Sequence, residues 1–389
     1  MHMIIQSIII VVSFFALCYV FYILYSYIGL KRLKPHALKR DDELPILTVV
    51  VCAKDEEPYI EGCIRSIFNQ DYPKEKYAVI AVNDRSEDRT SEILEKLATE
   101  YSALSVIHIC ECPEGISPKK NAIYKAMEIC RTEFVVATDA DALHREQWLR
   151  SYGSLCDPKL GASTGISIFS KENFSSKWER TWQSMQTLES LSHNVMVAGA
   201  MSNGFAITAN GNNMLFRKDL LVNDKAFQDH IVSGDDSEIV LEAQRRQYDV
   251  LFNAHPHAVV RLVPQKTIKD VINQRVRWAS NITRSTAPVA VLGTLVVIFY
   301  FSLLFMPLAA FFDMTVLGYW GGLVIIKALC DFFYMTRSLK KFRIPYRFRH
   351  LFLMELVHAL FIVIVGLYGT FGSFTWKGST YTSTLPEKK

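Results

Sequence analysis

The sequence predicts an α/β fold: a mostly parallel sheet covered by helices, inserted in the chain between membrane-spanning helices. Three observations predict it. Short β-branched runs alternate with stretches of helical periodicity between residues 46 and 138, the pattern that builds a parallel sheet with helices on both faces. Long uncharged apolar stretches precede and follow that region. Acidic clusters recur where the strand-like runs end, and in an open α/β sheet that edge is where ligands bind.

The chain has 389 residues, half of them hydrophobic, and a net charge of +4. So small a charge makes no electrostatic case for nucleic acid as a partner, and the length allows more than one domain. None of the eight cysteines forms a Cys-x-x-Cys pair. Neither a disulfide framework nor a zinc site is expected, and a reducing compartment fits.

Residues 3–30 carry no charged side chain, and about 20 apolar residues suffice to cross a bilayer. A cleavable signal peptide fits less well, because the apolar part is too long, no basic segment precedes it and no small-residue cleavage site follows. Lys31, Arg32, Lys34, Lys39 and Arg40 come next. Positive charge beside a span marks the cytoplasmic side, so the N-terminus is expected outside and the following domain in the cytosol.

Strand-like runs are expected at 46–53, 77–82, 104–109 and 134–138, with helices at 59–68, 91–98 and 119–130. Pro58 suits a first helical turn. Three strand ends carry polar clusters: Lys54-Asp55-Glu56-Glu57, the run from Asn83-Asp84-Arg85-Ser86 to Thr90, and Thr138-Asp139-Ala140-Asp141. Each alone also reads as a solvated loop, but three on one sheet edge point to a ligand. Asp139 and Asp141 can share one hard divalent cation, since Mg²⁺ is typically held by one or two carboxylates plus substrate phosphates.

Residues 173–197 are expected to be helical, and 199–216 are rich in Gly and Asn. Ser233-Gly234-Asp235-Asp236-Ser237-Glu238 leads into a helix at 239–247; a Gly followed by acids is equally a catalytic loop or a plain helix start. The stretch 267–282 reads as an amphipathic helix with Ile268, Val271, Ile272, Val276 and Ala279 on its apolar face. It contains Gln274-Arg275-Val276-Arg277-Trp278, which in isolation suits an interfacial helix anchored by Trp and Arg.

Residues 285–312 form an uncharged span and 314–336 a weaker one, in which Lys327 and Asp331 are one helical turn apart and expected to pair. Residues 337–349 hold six basic side chains and no acid, which places that loop in the cytosol. The segment 351–374 is apolar, interrupted by Glu355 and His358. If it spans, the tail is outside; if it is re-entrant or interfacial, the tail returns to the cytosol. The expected division is a spanning helix at 1–30, a catalytic domain at 31–265, an interfacial helix at 266–286, two to three spans within 287–376, and a tail at 377–389.

Taken in order, Ala53-Lys54-Asp55-Glu56-Glu57, Asn83-Asp84-Arg85-Ser86, Lys119-Lys120-Asn121-Ala122, Asp139-Ala140-Asp141, Gly211-Asn212-Asn213, Gly234-Asp235-Asp236 and Gln274-Arg275-Val276-Arg277-Trp278 resemble the membrane-bound family-2 glycosyltransferases of bacterial synthase type. The resemblance runs from about residue 46 to 278, and more loosely into the C-terminal spans. It implies a GT-A fold and a nucleotide-sugar donor. It implies Asp55, Glu56 and Asp84 at the nucleobase and ribose, Lys119 near the nucleotide, and Asp139 on the donor and, with Asp141, on Mg²⁺ or Mn²⁺. Asp236 matches the catalytic base, with Asp235 beside it. Gln274, Arg277 and Trp278 match the motif that closes over diphosphate and acceptor. The chain departs from the family at Asn83, where an acid is common, and at Trp376-Lys377-Gly378-Ser379, where Arg often follows the Gly.

The chemistry agrees independently. Transfer from a nucleotide-diphosphate sugar needs a cation for the leaving diphosphate and a base for the acceptor hydroxyl, and a single displacement inverts the anomeric carbon. The expected function is therefore an inverting, metal-dependent glycosyltransferase at the cytoplasmic face of a bacterial inner membrane. Its acceptor is lipid-linked or membrane-delivered, in cell-envelope polysaccharide or glycolipid synthesis. The alternative is a processive polysaccharide synthase, which needs a channel that few spans can wall without oligomerisation. The intact carboxylates speak against an inactive scaffold, and the large soluble domain against a transporter.

Overall fold

The computed structural model describes residues 2–170, 176–206, 208–222, 227, 233–280, 287–376 and 379–381. Most of the expected tail, and Lys377-Gly378 with it, lies outside the described residues. In chain order the elements are α1 (His2–Arg32), β1 (Leu47–Ala53), α2 (Ile60–Phe68), β2 (Tyr77–Asp84), α3 (Thr90–Glu100), β3 (Leu104–Ile109), α4 (Pro118–Ile129), β4 (Phe134–Asp139), α5 (Trp148–Gly153), β5 (Leu160–Thr164), β6 (Ser167–Phe169) and α6 (Lys177–Ser202). They continue with β7 (Asn213–Arg217), α7 (Asp219–Val222), α8 (Asp235–Arg245), β8 (Asp249–Phe252), β9 (Val260–Leu262), α9 (Ile268–Ala279), α10 (Ala287–Phe305), α11 (Thr315–Lys341) and α12 (Phe348–Phe371).

The chain divides into two compact units. The sheet unit comprises Arg32–Asn173, Gly204–Pro264 and Thr375–Lys389; the helical unit comprises Met1–Lys31, Phe174–Asn203 and Gln265–Phe374. Helix α6, which lies inside the segment 31–265, thus groups with the apolar helices.

The sheet unit is built on seven strands in the order β3-β2-β1-β4-β7-β5-β8. Strands β1, β2, β3 and β4 are mutually parallel, as their alternation with helices predicts. Val49, Val51, Val79, Val82, Val135 and Val136 are fully buried, which is why these strands read as near-continuous apolar runs. Strand β7 runs antiparallel between β4 and β5, and β8 pairs parallel with β5. These three strands carry no strand signal, and the reason is visible at β5. A Cβ on Gly161 would stand 2.5 Å from Tyr248 Cβ and 2.8 Å from Ala243 Cβ. The closeness of α8 selects small residues, Gly161-Ala162-Ser163, over β-branched ones.

Among the described residues, four helices of the helical unit are long and apolar enough to cross a membrane, at Met3–Arg32, Val289–Phe311, Thr315–Lys341 and Phe348–Phe371. Lys327 pairs with Asp331 at 2.9 Å, as expected, and also with Glu355 of α12 at 2.6 Å. Tyr19 of α1 donates to Asp331 at 2.5 Å. Tyr300 OH of α10 stands 3.3 Å from Tyr19 OH. Charges inside an apolar bundle are tolerated when they pair and face protein, and this network draws on α1, α10, α11 and α12. Helix α9 departs from its expected apolar face. Ile268 is 61% exposed, whereas Arg275 is buried with Val271 and Val276.

Helices α1 and α6 meet through glycine. A Cβ on Gly29 would lie 1.9 Å from Gly199 O, and one on Gly199 would lie 2.2 Å from Ser26 O. Both obstacles are backbone, which cannot swing away. Gly199→Val is therefore expected to destabilise the chain by at least the ~1–3 kcal/mol typical of overpacking, while Gly318→Ala, which meets nothing within 4 Å, leaves it unchanged. Thermal melting of the chain purified in detergent checks this; equal melting of the two variants would contradict the close approach.

Candidate active site

Strands β2, β1 and β4 lie side by side, with Ala53 level with Asn83 and Cys52 level with Asp139. Their carboxyl ends therefore open onto one crevice, and the acidic clusters meet there. Asp55 and Arg85 leave their strands in the left-handed backbone region, at φ 54° and 56°. The two turns are then stitched together. Asp55 N donates to Ser86 Oγ at 3.0 Å, and Glu87 N donates back to Asp55 Oδ1 at 2.8 Å. Glu56 N donates to Thr90 Oγ1 at 2.8 Å and Glu57 N to Asp88 Oδ2 at 3.0 Å. Much of the polarity of these clusters thus satisfies backbone donors that a bend would otherwise strand.

Asp84 is clamped by its neighbour, with Arg85 Nε at 2.8 Å from Oδ1 and Nη2 at 3.0 Å from Oδ2. Asn83 faces His108 in register on β3, and its amide is 3.1 Å from His108 Nδ1. His108 Nε2 is in turn 2.6 Å from Glu95.

Lys119, in the first turn of α4, sits at the centre. Its Nζ is 3.2 Å from Asp139 Oδ1 and 3.7 Å from Asp235 Oδ2. Burial works against its charge, but the carboxylates of Asp139, Asp235 and Asp236 outweigh that and hold it protonated, above the ordinary lysine range. The adjacent Lys120 is fully buried and bonds Glu238 at 2.8 Å, which fastens the first turn of α8 to α4.

Helix α8 begins after Gly234, whose φ of 99° suits glycine. Asp235 and Asp236 follow at once. Asp236 accepts from Ser237 N at 2.7 Å through Oδ1 and from Gly211 N at 3.1 Å through Oδ2. Burial and the adjacent Asp235 charge push its carboxyl up to about 6, against the pull of Lys119 and the two N–H groups. Gly211 lies against this cluster: a Cβ there would be in ordinary contact with Asp235 Oδ2 and Lys119 Nζ, at 3.4 Å, and with Asp236 Oδ2, at 3.5 Å.

The Gly211-Asn212-Asn213 turn is held from below. Asn213 is fully buried. Its Nδ2 donates to the carbonyls of Ile166 and Ala258, and its Oδ1 accepts from Trp148 Nε1 and Tyr152 OH. Asn212 Oδ1 accepts from Ser167 Oγ at 2.6 Å, and Asn212 O accepts from Thr138 Oγ1 at 3.0 Å. His144 also meets Thr138 Oγ1, at 2.8 Å. Burial lowers its pKa to about 3, so this imidazole is neutral near pH 7 and is a framework group, not a base in reserve.

Lys119, Asp139, Asp235, Asp236 and Gly211 are thus brought together, with Asp55, Glu56 and Asp84 along the same strand ends and Asp141 in the turn after β4. Among the described residues no group of three or more His, Cys, Asp or Glu is arranged to hold a metal ion. Asp139 and Asp141 supply hard oxygen donors, the kind that suits Mg²⁺ or Mn²⁺ when phosphate oxygens complete the shell. Gln274, Arg277 and Trp278 lie on α9 in the helical unit, at spacings that share one helix face. Lys120, Asn213 and Arg275 stand inside the quoted motifs, yet the sequence assigns them no part. Their partners Glu238, Trp148 and Glu189 lie far off in the chain, so no local signal reveals them.

This fold and crevice define a GT-A-like domain, carried in the chain between apolar helices. The profile of the family described as "Glycosyltransferase like family 2" matches residues 45–281, more than half of the chain, and the chain belongs to that family: it is a glycosyltransferase. Glycosyltransferase AglE of Haloferax volcanii is 25% identical over 60% of this chain and 72% of its own length. A dolichyl N-acetyl-alpha-D-glucosaminyl phosphate 3-beta-D-2,3-diacetamido-2,3-dideoxy-beta-D-glucuronosyltransferase of Methanococcus voltae is 22% identical over 81% of this chain and 94% of its own. The solved mannosyltransferase PcManGT from Pyrobaculum calidifontis, in complex with GDP-Man and Mn²⁺, shares the fold, with a TM-score of 0.56 at 19% identity over 94% of this chain and 98% of that one.

Lys120→Met would leave Glu238 without its buried cation. Breaking a buried pair from one side typically costs ~3–5 kcal/mol, so chemical denaturation should show a loss of that order, and Lys120→Met/Glu238→Met should recover much of it. A single variant as stable as the parent would show that the pair does not hold α8.

Proposed function

We propose that this chain moves a sugar, with inversion, from a nucleotide-diphosphate donor to a lipid-linked or membrane-delivered acceptor at the cytosolic face of the plasma membrane, using Mg²⁺ or Mn²⁺. The observation that carries the reading is Asp236: a carboxylate at a helix start, raised to about 6 and separated in role from the acid of β4. A base whose pKa lies near the working pH is both ionised and basic enough to take a proton.

In this reading Asp236 accepts the proton of the acceptor hydroxyl as its oxygen bonds the anomeric carbon and the bond to the diphosphate breaks. Asp235 raises the basicity of Asp236 and anchors Lys119. Asp139 and Asp141 hold the cation, which when bound neutralises the leaving diphosphate. Lys119 adds positive charge beside Asp139. Asp55, Glu56 and Asp84 hold the nucleoside, and Gln274, Arg277 and Trp278 act on diphosphate and acceptor. The GDP-Man and Mn²⁺ of the Pyrobaculum protein support the donor class and the metal, and the dolichyl phosphate in the Methanococcus enzyme's name supports the acceptor. Four apolar helices and the basic 337–349 loop support the location. Processive synthesis gains nothing from the structure, since four spans offer little wall for a polymer channel.

The reading is tested with a panel of nucleotide sugars and membrane lipid, by following transfer of labelled sugar. Asp236→Asn should lower turnover by about 10²–10⁴-fold and leave donor binding intact. The base works only when ionised, so kcat/KM should rise with pH and level off above about pH 6. Asp235→Asn removes the repulsion that raises Asp236 and should move that limb to lower pH. An unshifted limb would refute the coupling.

Excess chelator should abolish transfer, and Asp141→Asn should weaken donor binding at fixed metal concentration. Full turnover in chelator would remove the metal from the scheme.

A further inference from the structure

Residue Arg275, between Gln274 and Arg277, is only 3% exposed. Its guanidinium meets Glu189, Gln274 and Trp278. Nε donates to Glu189 Oε2 at 2.7 Å, with Nη2 2.5 Å from the same oxygen. Nη1 donates to Gln274 Oε1. Its Cζ stands 4.3 Å from the centroid of the Trp278 ring. One planar cation thus holds two of the three motif side chains and ties them to Glu189 on α6.

Helix α6 is a firm anchor. Trp182 Nε1 and Gln186 Nε2 both donate to Gln265 O at 2.9 Å, and Gln265 N donates back to Gln186 Oε1 at 2.9 Å, which fixes the entry to α9 on the same helix. Farther along α6, Tyr334 OH of α11 donates to Val195 O at 2.7 Å, and Gly199 meets α1.

We propose that Arg275 and Glu189 are positioning residues for glycosyl transfer, holding Gln274 and Trp278 in the orientation in which acceptor and diphosphate meet them. The inference rests on the proposed role of that motif. A buried ion pair is often no more stabilising than a well-packed apolar pair, so a charged pair here is better explained by orientation. Guanidinium can fork to a carboxylate and an amide while stacking on an indole; the lysine ammonium keeps the charge and loses that geometry. Small misplacement of a positioning group can cost about 10²-fold in rate.

The test uses the full chain in detergent or membranes, with the donor that supports wild-type transfer. Arg275→Lys and Glu189→Gln are compared for melting temperature, for transfer, and for hydrolysis of the donor by water. Loss of folded protein lowers transfer and hydrolysis in the same proportion, whereas a misplaced motif penalises the acceptor, which must be oriented, more than water, which need not be. The expected result is a rise of at least about tenfold in the hydrolysis-to-transfer ratio for Arg275→Lys, a smaller rise for Glu189→Gln, and melting close to wild type. An unchanged ratio, or two variants that fail to fold, overturns the proposal. Asp236→Asn is run in parallel. If it keeps wild-type turnover, the reading of the site fails; if it loses turnover while Arg275→Lys keeps the wild-type ratio, this inference alone fails.

Discussion

The sheet unit depends on how three carboxylates are brought together around one lysine. Asp139 comes from the end of β4, and Asp235 and Asp236 from the start of α8, nearly a hundred residues apart in the chain. Like charges that close repel strongly in a partly buried site, and Lys119 lies between the two groups. The approach of α8 to the sheet is set by what surrounds that cluster: Lys120 on Glu238, Gly211 N on Asp236, and the small residues of β5 beneath α8.

The same arrangement divides labour among similar side chains. Asp139 has the Lys119 ammonium at hydrogen-bonding distance. Asp236 is more enclosed, and an acid adjoins it in sequence; its pKa rises. Two aspartates of one cluster thus stand in different surroundings, one beside an ammonium and the other enclosed beside a second acid. His144 shows the converse: burial strips it of acid–base use and leaves a hydrogen-bonding strut between Ser66 and Thr138.

The helical unit joins its helices by close backbone approach and by paired polar groups. Where α1 meets α6, glycines bring the two backbones together. Where α1, α11 and α12 meet, Tyr19, Lys327, Asp331 and Glu355 bond one another. Helix α9 belongs to this unit, and its buried arginine draws its partner from α6.

The sequence by itself determined the parallel half of the sheet, the helices around it and the apolar segments, because each is written locally: β-branched runs for β1 to β4, helical spacing for α2 to α4, apolar length for α1 and α10 to α12. It also named the acids of the crevice, since parallel strands must end on one edge. It did not contain β5, β7 or β8. At β5 the close approach of α8 leaves room only for small residues beside Gly161, and at β7 Asn213 is buried because its partners are distant in the chain. Nor did it show that Lys120 and Arg275 are interior charges, since a lysine beside a lysine and an arginine on an amphipathic helix read as solvated. Only the tertiary structure decided those points, together with the raised pKa of Asp236. Pairing and desolvation are set by groups far apart in the chain, and no local pattern encodes which of them will meet.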